Sequence, residues 1–237
     1  TPKSLLKLTD ENVQEFRLFM IGAQPGIPDR DGVIYESPFI GAGMRRSPRL
    51  NYIPCRLSLV PVLIRNRYRP DVVLLHASSV RDGKVSLGVE VNILPAAIEA
   101  AKANGGIVVV QSNPRMPYTF GDGEISIDDV DYLLEVEEEL TEAPNIALND
   151  TSIEIGQRIA TQVSNGSTLQ LGIGAIPNAV IAAMQKHQGL RIWTEMFSDG
   201  VLELNRRGAL DQDIPITASF VFGGQELYEW LDLNRQV

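Results

Sequence analysis

"STLQLGIGAIPNAVIAAMQKHQGLRIWTEMFSDG", residues 167–200, decides the fold. An apolar run over 167–174 enters a pair of glycines, Gly172 and Gly174. Residues 176–187 then read as a helix, with Pro177 in its first turn. A second apolar run, 190–195, ends at Glu195 before a Ser-Asp-Gly turn. Strand, helix, strand in this order builds a parallel pair with a crossover helix.

The pattern continues downstream. Residues 199–208 read as a helix closed by Gly208, with Arg206 and Arg207 suiting its negative end. Residues 216–224 read as a strand and 225–234 as a helix. Upstream, Thr151 and Glu154 fit a capping box, and Ile155, Ile159 and Val163 predict one apolar helix stripe closed by Asn165-Gly166. Residues 133–144 are rich in glutamate and read as a solvated crossing that leads, through Pro144, to a second lobe.

The earlier half has the same alternation. Residues 71–78 and 106–113 read as buried strands, 82–91 as a turn and short strand, and 94–104 as a helix with Pro95 near its start. The expected architecture is two open, mostly parallel α/β lobes, over 1–145 and 146–237.

Composition bounds the function. The 237 residues are 44% hydrophobic and 22% charged, the balance of a globular protein with a core. A net charge of −9 argues against nucleic acid as a partner. No run of about 18 apolar residues is present, so no membrane span is expected. One cysteine, Cys55, precludes an internal disulfide and suits a reducing compartment. Its surroundings, 52–57, read as a strand with a buried thiol. The acids of 122–131 lack calcium-loop spacing, and no metal site is expected.

In open α/β sheets ligands gather at the carboxyl ends of strands. Three strands here end in suggestive residues, at 172–176, 194–200 and 222–225, and as neighbours they would form one rim. Glycines before a helix N-terminus hold anions, whether phosphate or a developing oxyanion. A carboxylate at such a rim needs no partner base to attack an activated carbonyl. That suits a chain with only two histidines, His76 in a strand pattern and His187 at a helix end. A dinucleotide- or S-adenosylmethionine-binding reading stays open, because Glu195 follows Gly172 at near the spacing of a ribose-binding acid. Pro177 stands against it, where close helix packing calls for a small residue. Arg45, Arg46 and Arg49 suit either a bound carboxylate or phosphate, or plain solvent, and stay outside the catalytic set.

The stretches 168–180, 193–204 and 216–234 resemble the acetyl-CoA hydrolase/transferase family, which includes 4-hydroxybutyrate and succinyl-CoA:acetate CoA-transferases. So do 52–64, 70–91 and 129–140, so the likeness runs through nearly the whole chain. The resemblance implies that Glu195 is a nucleophile carrying CoA as a glutamyl thioester between an acyl-CoA and a small carboxylic acid. It implies that Gly172, Ile173, Gly174, Ala175 and Ile176 contact CoA, with the Ile176 N–H as one oxyanion donor. CoA esters are then substrates, with no resident cofactor, in a cytoplasmic homo-oligomer. Against the family pattern both lobes look incomplete, and another glycine-rich loop and the second oxyanion donor are expected on residues outside this sequence. Acyl-CoA hydrolysis, with water as acceptor, and an inactive structural subunit are the alternatives.

Overall fold

The computed structural model describes residues 1–144 and 146–237. Asn145, at the expected lobe boundary, lies outside the described residues. In chain order the elements are α1 (Lys3–Asn12), β1 (Phe16–Phe19), β2 (Val33–Ser37), β3 (Leu50–Tyr52), α2 (Val60–Asn66), β4 (Val72–Ala77), β5 (Lys84–Ser86), α3 (Leu94–Ala103), β6 (Ile107–Ser112), β7 (Glu124–Ser126) and β8 (Tyr132–Glu135). They continue with α4 (Asp150–Ala160), β9 (Thr168–Leu169), α5 (Ala175–Ala183), β10 (Arg191–Phe197), α6 (Asp199–Arg206), β11 (Thr217–Val221) and α7 (Gln225–Leu231).

The chain divides into two compact units, and the division interleaves. One comprises 1–83, 93–113 and 126–137, the other 84–92, 114–125 and 138–237. The first unit holds two parallel sheets, ordered β1-β2-β3 and β4-β6-β8. The glutamate-rich stretch read as a crossing supplies β8 instead, which pairs in register with β6 from Val109↔Tyr132 to Ser112↔Glu135. β8 lies on the edge of its sheet with Tyr132, Leu133 and Glu135 exposed, and the glutamates that follow it mask its short strand signal. Cys55 lies beyond the end of β3 and is half-buried, not in a strand with its thiol sealed. Arg49 is bound to Asp29 at 2.9 Å and Asp31 at 2.7 Å, which neutralises it, while Arg45 and Arg46 are exposed.

The second unit carries the parallel sheet β9-β10-β11 with β10 in the centre. Residues 89–92 lie antiparallel along the far side of β11. Val221 N donates to Val89 O at 2.8 Å, and Val91 N to Ser219 O at 2.9 Å. Helices α5 and α6 connect the three strands, and their apolar sides join Ile192, Phe197, Val201, Leu204, Val221 and Leu227 in one core. Each such side chain contributes about 1.5–3 kcal/mol on full burial, enough to anchor the strand from one face.

The stripe expected on α4 is displaced by one residue. Its buried positions are Ser152, Gly156 and Ala160, whereas Ile159 is 41% exposed. The cause is close packing: a Cβ on Gly156 would stand 2.6 Å from the backbone carbon of Ala179 in α5. Only small residues fit such an approach. The cap is also earlier than expected. Asn149 accepts from Ser152 N at 2.8 Å while Ser152 Oγ takes Asn149 N, so this pair, not Thr151 and Glu154, closes the capping box. Gly156→Ala is expected to lower the melting temperature. The gain in helix propensity is about 1 kcal/mol, but forcing a methyl into backbone costs about 1–3 kcal/mol. Thermal unfolding of the variant checks this.

Candidate active site

The three chain reversals expected to form a rim do so. They follow β9, β10 and β11, which are adjacent and parallel, so all three leave the same edge of one sheet. β10 does not stop at Glu195, as the sequence suggested. It runs to Phe197, and Glu195 belongs to the strand. Alternation decides its direction. Ile192 and Thr194 are buried, while Arg191, Trp193 and Glu195 are exposed on the face away from the core. Trp193 is 65% exposed two residues before the glutamate. In register with them, Thr217 lies beside Trp193.

The glycine turn precedes α5. Gly172 and Ile173 are exposed, and Gly174 caps the helix with φ +109° and ψ −175°. That is a conformation open in practice to glycine alone. Ala175 and Ile176 form the first helical turn. The first intrahelical bond runs from Asn178 N to Gly174 O at 3.1 Å, and Pro177 has no N–H, so the N–H groups of Ala175 and Ile176 precede the helical ladder. These groups carry the positive end of the helix dipole.

Three polar residues that hold this rim together were not singled out in the sequence. Thr194, buried to 6% exposure, accepts from Leu171 N at 2.9 Å; its hydroxyl also lies 3.1 Å from Leu171 O and 3.0 Å from Met196 O. Ser219 Oγ donates to the carbonyl of Glu195 at 3.1 Å or to Asn92 Oδ1 at 3.0 Å. Asp199 accepts from Gly224 N at 2.9 Å and so ties the turn after β10 to the turn after β11. The sequence held one signal for Thr194: a polar residue at the buried phase of an alternating strand. Glu90, across the sheet beside Phe220, is held above the usual carboxylate range by burial, against an opposing hydrogen bond from Asn92.

The histidines take no part in this rim. His76, in β4 of the first unit, is pushed down to about 3 chiefly by burial and pairs with Asn113 at 3.1 Å. His187, beyond α5, donates through Nε2 to Val163 O at 2.9 Å. Among the described residues, no group of three or more His, Cys, Asp or Glu could hold a metal.

Residues 25–143, about half of the chain, match the model of the acetyl-CoA hydrolase/transferase N-terminal domain. The chain belongs to this family. It is 35% identical to a 4-hydroxybutyrate coenzyme A transferase of Clostridium kluyveri, covering 86% of the chain and 49% of that protein. It is 32% identical to a succinyl-CoA:acetate/propanoyl-CoA:succinate CoA transferase of Fasciola hepatica, covering all of the chain and 53% of that protein. The chain thus spans about half the length of these curated relatives. Among solved structures, RipA from Yersinia pestis superposes with a TM-score of 0.90 at 25% identity, over 99% of the chain and 59% of RipA. A 4-hydroxybutyrate CoA-transferase from Porphyromonas gingivalis gives 0.79 at 27%, over 99% and 65%. The family match ends before the glycine turn, and the relatives that extend over it are named CoA transferases.

Proposed function

We propose that this chain carries the nucleophile of an acyl-CoA:carboxylate CoA-transferase, and that Glu195 is that nucleophile. The observation that carries the reading is the exposed Glu195 carboxylate on the central strand, next in the sheet to the glycine turn that opens α5. The transferase names of the relatives support it.

Each step balances without water or a net proton. A Glu195 oxygen attacks the thioester carbonyl, a C–O bond forms, the C–S bond breaks, and CoA leaves as thiolate with an acyl-glutamyl anhydride behind it. The thiolate attacks the glutamyl carbonyl and expels the first carboxylate, leaving a glutamyl-CoA thioester. An acceptor carboxylate attacks that thioester and expels the thiolate. The thiolate then takes the acceptor's acyl carbon and frees Glu195. The negative charge on each tetrahedral oxygen falls to N–H donors such as those of Ala175 and Ile176 at the positive end of α5. Loss of one oxyanion donor costs about 2.7–4 kcal/mol in a well-studied case.

The substrates are then an acyl-CoA and a short carboxylic acid, with CoA esters passing through and no resident cofactor. No described helix is long and apolar enough to cross a membrane. We assign the enzyme to the cytoplasm as a homo-oligomer. Hydrolysis is the second reading, because the family's description spans hydrolases and Glu195 lies open to solvent. Incubating the full-length enzyme with acetyl-CoA, with and without succinate, separates the two. Transfer predicts succinyl-CoA and little free CoA. Free CoA released at the same rate without any carboxylate would establish hydrolysis instead.

A further inference from the structure

We propose that Thr194 is a positioning residue whose buried hydroxyl fastens the glycine turn 172–174 to the nucleophile strand and so sets the distance from the Glu195 carboxylate to the N–H groups that open α5. The inference rests on the reading of Glu195 as nucleophile.

The ladder between β9 and β10 is short. Its pairs are Arg191↔Thr168 and Ile192↔Leu169. Carried forward, that register puts Leu171 opposite Thr194. There the pairing changes kind. The Leu171 N–H goes to Thr194 Oγ1 at 2.9 Å instead of to the backbone of β10, and Oγ1 stands 3.1 Å from Leu171 O. A hydroxyl carries one hydrogen and two lone pairs, so it serves a backbone donor and a backbone acceptor together. It thereby carries the pairing two residues beyond Ile192↔Leu169 through a side chain instead of backbone. Met196 O at 3.0 Å competes with Leu171 O for the single hydroxyl hydrogen, and the bond that Leu171 N–H gives to Oγ1 stands whichever carbonyl takes it.

The location gives this clamp its role. Thr194 is one peptide from Glu195, and Leu171 is one peptide from Gly172. At 6% exposure Thr194 leaves little room for water to stand in. Valine has the same shape and neither hydrogen-bonding function, so it would leave Leu171 unpaired and free to move off. A displacement of about 1 Å between reacting groups can cost about 100-fold in rate.

The test uses the full-length enzyme with Thr194→Val and Thr194→Ser. The rate of glutamyl thioester formation in a single turnover should fall about 100-fold in the valine variant, with KM for the acyl-CoA within about threefold. Serine should restore the rate to within about threefold of wild type. In the wild type the Leu171 amide should exchange with solvent as slowly as the amides of β10, a reading that stands even if the valine variant fails to fold. Wild-type labelling in Thr194→Val, or equal loss in serine and valine, would overturn the proposal. So would Leu171 exchanging as fast as Ile173 in an enzyme that labels normally, and this would remove the clamp alone. No thioester on wild-type Glu195 would remove the nucleophile and the positioning role with it.

Discussion

Glu195→Gln is expected to abolish carboxylate-dependent CoA exchange, by roughly 10⁴-fold or more in kcat, as removal of other covalent nucleophiles does. The amide keeps the length and shape of the side chain but cannot attack a thioester. The fold should be indifferent. Glu195 points to the open face of β10, and Ile192 anchors that strand from the other side. Substitutions at exposed positions of this kind shift stability by about 0.5 kcal/mol or less. Steady-state rates with an acyl-CoA and acetate, beside a melting curve, check both halves. A variant that keeps a tenth of wild-type activity would place the nucleophile elsewhere.

Gly174→Ala should be the second largest effect, and Gly172→Ala should be mild. The two glycines look alike in the sequence. A Cβ on Gly174 would meet nothing within 4 Å, yet its φ of +109° is barred to a residue with a side chain. The cost is therefore conformational strain alone, about 1–3 kcal/mol. The chain can pay it in stability or relax it by moving the start of α5. Relaxation of about 1 Å would cost about 100-fold in kcat by misplacing the N–H groups of Ala175 and Ile176. Gly172 has no such restriction, and a Cβ there would rest 3.5 Å from Pro177 Cγ, an ordinary contact. Its alanine variant should stay within about threefold of wild type. Paired kinetics and melting curves decide, and equal tolerance of alanine at both positions would show that the turn does not set the site.

Much of this was legible because local pattern and fold agree. The strand-helix-strand order around β10, the glycines before α5 and the turn signals after the strands read correctly, and the three strands are adjacent and parallel as that order implies. The failures share a physical origin in distant neighbours. The buried face of α4 falls on Ser152, Gly156 and Ala160 because α5 approaches too closely for isoleucine, and nothing within α4 announces that. β8 is a four-residue edge strand followed by Glu137, Glu138 and Glu139, so the charge run hid its pairing with β6. Residues 89–92 lie beside β11, more than a hundred positions along the chain, a contact no local period encodes. Of the clamps at the rim, Ser219 and Asp199 carry no local signal, and Thr194 only its polar character at a buried phase of β10. A hydroxyl or carboxylate becomes a fastener only through the backbone atom placed opposite it.

Borohydride reduction of the full-length enzyme during exposure to acyl-CoA, followed by peptide mass analysis, tests the central claim most directly. The account predicts that the peptide containing Glu195 exchanges one carboxyl oxygen for two hydrogens, and that this change disappears when a carboxylate acceptor drains the thioester first. An unmodified Glu195 peptide from an enzyme that is turning over, or the same modification at a different carboxylate, would contradict it.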